Sequence, residues 1–263
     1  MTPTDLRTLR VDLKGAARLG LPEALDWALE GLQTWPEVAA NQPLTPKTID
    51  QLLSLGKILA GPRVPAAYLH GLSKHGLAAY RTLAAGAWAT RLGRGDAAAQ
   101  APLTRLAGDP RPDVRAAVEK ALAEADALPP DRLASLIQRW LRSGPGVSSR
   151  AQEVALRLLP ALGQKRPALA LALLREAAFP TALEPAVGEA LSALAAAGQS
   201  EAVLTLLEAW ARSAEPHLTA IVRALRGSWA RRHRPRALAI LDVLEARHPA
   251  SRALRRARQF LTS

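Results

Sequence analysis

Apolar residues recur at i, i+3, i+4 and i+7 along nearly the whole chain, the spacing of one face of an α-helix. Val114, Val118, Ala121, Leu122 and Ala125 form one such stripe, and Ala250, Ala253, Leu254, Ala257 and Leu261 form another. No run of β-branched residues alternates at period two, so the pattern predicts an all-α protein. Proline and glycine cut the pattern into helices of roughly 10–17 residues. Helices are expected near 4–19, 22–33, 46–59 and 63–74. Shorter ones are expected near 98–107, 131–142, 167–177, 200–212 and 236–247. The stretch Trp35–Pro46 holds three prolines and reads as a loop.

A repeat runs through the pattern. Small-large pairs stand at Ala87-Trp88, Ala121-Leu122, Ala155-Leu156, Ala190-Leu191 and Ala224-Leu225, spaced 34, 34, 35 and 34 residues apart. Turn residues keep the same beat: Pro112, Gly146, Pro180, Pro216 and Pro249 each open a helix that contains or approaches the pair. A helix pair at this period predicts an α-solenoid, in which each pair leaves an apolar stripe that only its neighbours cover. The small residue lets adjacent helices approach closely. Residues 1–75 are less regular and read as an atypical N-terminal helical cap, continuous with an array over 76–263.

Composition narrows the function classes. The 263 residues are 49% apolar, 22% charged and 4% aromatic, enough to bury a full core and too apolar for a disordered chain. With no cysteine, disulfides, thiolate metal sites and cysteine nucleophiles are all excluded. No apolar run approaches the ~18 residues that span a bilayer. The start of the chain has no basic segment with an apolar core behind it, so a cytoplasmic location is expected.

The net charge is +12, and its distribution matters more than its total. Residues 223–263 carry eleven arginines against Asp242 and Glu245, a net +9. A field of one sign at one end favours a polyanion, nucleic acid before any other. Arginine outnumbers lysine 29 to 6, which codon bias in a GC-rich genome also produces. That bias does not thin out the acids at one end.

The segment Leu106-Ala-Gly-Asp-Pro-Arg-Pro-Asp-Val-Arg115-Ala-Ala-Val118 resembles a HEAT repeat, with an Asp-Pro turn followed by Asp-x-Val-Arg. Asp109 or Asp113 is placed to cap the following helix. The wider string is Val114-Arg115-x-x-Val118-x-x-x-Leu122, then Pro130, Arg139-Trp140-Leu141, Ala155-Leu156-Arg157-x-Leu159 and Gly163. It is similar to a stretch of the bacterial DNA alkylation-repair glycosylases of the AlkC/AlkD type. The match covers about a fifth of the chain. It implies a HEAT-like solenoid that holds duplex DNA on a basic concave face and excises alkylated bases. Where close members carry Asn residues and an Asn-Asp pair, this chain has Lys120, Ala121, Ala123 and Glu124, and no Trp-Asp-x-x-Asp segment is present. The resemblance therefore implies DNA affinity more strongly than base excision.

Excision would need a carboxylate beside a base pocket, to stabilise the oxocarbenium ion forming at the sugar. Glu124 and Asp113 are the catalytic candidates, with Glu119 on the same helix. Each has a plainer use as a cap or a solvated ion pair. Backbone-binding candidates are Arg115 and Arg150 in the first turns of successive second helices, Arg157, and the cluster Arg231, Arg232, Arg234, Arg236, Arg255 and Arg256. Arg115 has an alternative use in an ion pair with an Asp of the next repeat. Trp229 stands among these basic residues, either to stack on a base or to anchor its helix. Trp27, Trp88, Trp140 and Trp210 lie in apolar stripes and are expected in the core. Ser54-Leu-Gly-Lys57 fits Ser-x-x-Lys without the partner motifs that chemistry requires. The five histidines lack ligand spacing, so neither a metal nor a cofactor is expected.

These residues point to a HEAT-like DNA-binding protein related to alkylation-repair glycosylases, contacting the DNA backbone without sequence specificity. The alternative is a protein–protein interaction scaffold whose concave face takes an acidic partner.

Overall fold

The protein is described by a computed structural model covering residues 4–125, 127–142, 147–177 and 179–263. Its α-helices, in chain order, are α1 (Leu6–Leu19), α2 (Pro22–Glu30), α3 (Pro36–Ala39), α4 (Pro46–Leu59), α5 (Ala66–Leu72) and α6 (Ala78–Gly93). There follow α7 (Gln100–Ala107), α8 (Pro112–Ala123), α9 (Pro130–Leu141), α10 (Ser149–Lys165), α11 (Pro167–Glu176) and α12 (Glu184–Leu194). The last are α13 (Ser200–Arg212), α14 (Leu218–Leu225), α15 (Ser228–Arg232), α16 (Arg234–Arg247) and α17 (Arg252–Thr262). Among the described residues there is no strand, as the missing period-two pattern requires.

Local chemistry sets the helix ends. Proline occupies the first helical turn of α2, α4, α8, α11 and α16, where its missing N–H costs no hydrogen bond. Asp5, Thr45 and Ser251 cap α1, α4 and α17 by accepting from Arg7, Thr48 and Leu254 backbone N–H groups. Gly20, at φ 73°, stops α1 in the left-handed region that favours glycine. Pro160 departs from the expected punctuation, because α10 continues through it. The cost there is one lost backbone hydrogen bond, set against the burial of Val154, Leu158, Leu159 and Leu162 on the same helix. Gly146, expected to open a helix, lies outside the described residues.

The described residues form two compact units: 4–132 with 147–154, and 133–142 with 155–263. In the first unit α1 packs on α4, α4 on α6 and α6 on α8, while α5 and α7 cover α6 from another side. Helix α6 is buried along nearly its whole length, with Ala84, Ala85, Ala87 and Trp88 inaccessible to solvent. Glycines make the close crossing possible. A Cβ on Gly56 would collide with the Leu83 carbonyl oxygen, and one on Gly86 would sit 2.8 Å from the Leu53 oxygen. In the second unit α12 packs on α14 and α14 on α17, while α13 packs on α16 and α16 on α17. Gly188 repeats the device, where a Cβ would lie 2.6 Å from the Ala220 oxygen. The repeated small residues Ala87, Ala121, Ala155, Ala190 and Ala224 are all buried.

Two expectations about the apolar stripes are corrected. Trp27 is not in the core: it is 65% exposed, on the outer side of α2. Ala250 precedes α17 and Ala253 is exposed, so the stripe there reduces to Leu254, Ala257 and Leu261. The segment Thr181–Arg212 is long and apolar enough to cross a membrane by composition, with mean hydropathy 1.4. It is not one straight rod, since Gly198 at φ 98° separates α12 from α13. The two arms pack on each other and bury Leu191, Leu194, Leu204 and Leu207.

Candidate nucleic-acid interface

In the first unit the turn before α8 is held by a ladder of charged groups. Asp109 is buried and accepts from Nε and Nη2 of Arg81 at 2.7 and 3.2 Å, and from the Arg111 backbone N–H at 2.9 Å. Arg115 donates through Nη1 to the Asp109 and Pro110 carbonyl oxygens at 2.8 and 3.1 Å. It thus closes its own turn, and the ion pair with Asp109 belongs to Arg81, not to Arg115. Its guanidinium is already engaged by this turn, which weakens its candidacy as a phosphate contact. Arg150 is exposed at the start of α10, and Arg157 is exposed further along that helix.

Asp113 is also a structural carboxylate. Its oxygens accept from Nε and Nη2 of Arg111 at 3.2 and 2.8 Å, and from the Leu44 and Val114 backbone N–H groups at 3.0 Å each. Burial pushes its carboxyl up, but these donors outweigh burial and hold it below the usual carboxylate range. The group ties the start of α8 to the loop before α4, a structural use that weighs against its placing as a catalytic candidate.

Glu124 does face a cleft, of about 340 Å³, between α4, α6 and α8. Lys120 lies 3.7 Å from Glu124 and 2.5 Å from Asp50, and the two acids raise its ammonium pKa, Asp50 most. Ser54, Lys57 and Thr90 complete the polar lining. Ser54 Oγ donates to the Gln51 carbonyl and accepts from Arg10, so its proton is directed at the backbone rather than at a base. No aromatic ring lines the cleft among the described residues, so an extruded base placed there would lack a stacking surface.

The second unit sorts the C-terminal arginines into two kinds. Arg236 is neutralised: Nε donates to Glu208 at 2.8 Å and Nη1 to Glu201 at 2.5 Å, and Glu208 raises its pKa. Arg258 bridges Asp242 and Glu245, using both acids of the segment. Arg231 holds α15 to the end of α17, donating to the Phe260 carbonyl and Ser263 Oγ, with its guanidinium 4.2 Å from the Phe260 ring centre. By contrast Arg226, Arg232, Arg234, Arg252 and Arg256 are exposed and make no ion pair among the described residues. Arg255 is exposed too, with one long contact of 3.5 Å to the Ala250 carbonyl. Arg256 and Phe260 are four residues apart on α17 and so share a face. The Arg231–Phe260 contact therefore brings Arg256 beside the Arg231–Arg234 segment. Arg226 and Arg252 were not singled out in the sequence; the signal was only their membership of the acid-poor segment.

Trp229 does not stack on a ligand. It is 1% exposed, and its indole Nε1 donates to Ser192 Oγ at 3.2 Å. Gly227 leaves room for the ring, since a Cβ there would lie 2.6 Å from two of its atoms. The anchoring alternative is the one realised, because the short α15 has no other large apolar group with which to attach. No group of three His, Asp or Glu side chains with metal-binding geometry occurs among the described residues. Set against family models, curated proteins and solved structures, the chain matches none of them.

Proposed function

We propose that the chain is a HEAT-like α-solenoid, its helix pairs repeating every 34–35 residues, that binds the DNA backbone through its C-terminal helices. The solenoid reading rests on the 34–35-residue spacing of the buried alanines and on like helices packing in series within each unit. The DNA reading rests on one observation: the acids of the segment are consumed by Arg258, while Arg226, Arg232, Arg234, Arg252 and Arg256 stay exposed and uncompensated. Exposed guanidinium groups donate bidentately to phosphate oxygens and carry no base preference, so binding is independent of sequence. Base excision is not part of the reading, because Asp113 is saturated by donors and Glu124 shares the Lys120 ammonium with Asp50 in a cleft that no aromatic ring lines among the described residues.

A competition titration tests it. Labelled duplex DNA should bind and be displaced by unlabelled duplexes of any sequence at equal concentration, with single-stranded and branched DNA as comparators. Displacement by an acidic polypeptide at lower concentration than by duplex would favour the scaffold alternative, in which the same arginines receive an acidic protein. No binding at low salt would remove the DNA reading.

A further inference from the structure

Among the described residues the exposed large apolar side chains are Val11, Leu19, Leu21 and Trp27, at 55–65% exposure, and all four belong to the α1–α2 hairpin. Elsewhere among the described residues such groups are buried or half-buried. Apolar side chains gathered on one exposed face mark an interaction surface.

The charges around it are segregated. On α1, Arg7, Arg10, Lys14 and Arg18 are exposed and spaced i, i+3, i+7 and i+11, which places them on one side of the helix. That side faces α4, since Arg10 donates to Ser54 Oγ and Lys14 and Arg18 line a cleft of about 480 Å³ with Ile58 and Pro62. On α2, Glu23, Asp26 and Glu30 are exposed at i, i+3 and i+7, on the side facing α5, where Asp26 accepts from the Tyr68 hydroxyl at 2.8 Å. At ~100° per residue, Val11 follows the cations around α1, and Leu19 lies beyond it toward α2. Trp27 follows the acids around α2. The face therefore runs from a cationic rim through a mainly apolar centre, which also holds Thr8 and the half-buried Asp12, to an anionic rim.

We propose that this face is an isologous dimer interface whose occupant is the same face of a second copy of the chain. A two-fold axis in the plane of the face, parallel to the helices, turns one copy over onto the other. That operation lays the cationic rim of α1 along the partner copy's anionic rim, twice, and stacks the apolar centres. An anionic bilayer would suit α1 alone, because Glu23 and Glu30 flank the ring of Trp27 and would be forced against lipid phosphates. The hairpin face is about 20 Å wide and about 14–21 Å long, from α1 of 14 residues and α2 of 9 packed about 10 Å apart. That is below the ~800 Å² per partner of a standard interface, so the dimer is a dissociating one in the micromolar range.

Sedimentation of the full chain from about 1 to 200 µM, a range bracketing micromolar association, reads the result directly. The parent should pass from one-chain to two-chain mass. Arg7→Glu with Lys14→Glu should keep the mass at one chain throughout, and so should Glu23→Lys with Glu30→Lys. An equimolar mixture of these two variants should restore the two-chain mass, since the unchanged acids of one then meet the unchanged cations of the other and the introduced glutamates face the introduced lysines. That restoration also shows both variants to be folded. A parent that stays monomeric overturns the proposal. So does a dimer that survives in both variants, which would place the contact elsewhere. Binding of a monomeric parent to anionic vesicles would also overturn it and give the face to a lipid surface.

Discussion

Replacing Trp229 with Ala separates a core role from a ligand-stacking role. The ring is 1% exposed and hydrogen-bonded to Ser192. Its loss leaves a cavity under α15, and a buried Trp→Ala change costs about 3–5 kcal/mol. In a chain of this size each kcal/mol lowers Tm by about 2–4 °C, so the expected drop is roughly 6–20 °C. Trp229→Phe keeps part of the apolar contact and removes the N–H donor together with one ring of the indole, so its cost should fall between about 1 kcal/mol and that of the Ala variant. Thermal melting followed by circular dichroism, with and without DNA, reads both variants. Well below its melt, the Phe variant should bind DNA as the parent does. Unchanged melting of the Ala variant, together with a loss of about 1–3 kcal/mol of single-strand binding, is the signature of a stacked base and would refute the packing argument.

Asp113 makes stability depend on pH. Its carboxyl is held below the usual range, so its contribution is present in full above the unfolded value of about 3.9 and is lost as pH falls through the lower folded value. The stability gap between the parent and Asp113→Asn should therefore be constant near neutrality and close in acid; denaturant midpoints from pH 7 to pH 2 check this, and a gap that widens in acid would contradict it. Gly86→Ala places a methyl against the Leu53 backbone where α4 crosses α6, and should destabilise by about 1–3 kcal/mol in urea unfolding, where an ordinary helical Gly→Ala change would stabilise.

Much of the fold follows from local signals. Proline at helix starts and i, i+3, i+4 stripes place α4, α9, α11 and α13 close to their expected bounds, because both signals act within one or two turns. What was not legible depends on partners far along the chain. Trp27 sits in a good stripe, but a stripe does not reveal that the α1–α2 hairpin leaves that side exposed among the described residues. Asp113 reads as a helix cap, while the Leu44 N–H that fixes it is 69 residues away. The arginines read as one cluster, yet Arg236 is silenced by Glu201 and Glu208, 35 and 28 residues upstream. Glu201 and Glu208 lie on α13, which packs on α16, so which arginines stay exposed and unpaired is a product of helix packing. Trp229 was ambiguous because a basic surrounding suits a stacked ring and a helix anchor equally. The burial of the ring, with its N–H donated to the Ser192 hydroxyl, decides between them.

The most direct test of the proposed DNA contact is the salt dependence of duplex binding by the parent and by a variant with Arg226, Arg232, Arg234 and Arg256 all changed to Gln, read by fluorescence anisotropy over a series of salt concentrations. Each phosphate contact removed should flatten the plot of log K against log salt by about 0.9, because fewer counterions are released. Affinity should fall for all sequences alike, with the melting temperature nearly unchanged since these side chains are exposed and make no ion pair among the described residues. Arg236→Gln, removing a guanidinium already held by two carboxylates, should leave the slope close to that of the parent. A quadruple variant with the slope and affinity of the parent would contradict the account and return the C-terminal charge to codon bias.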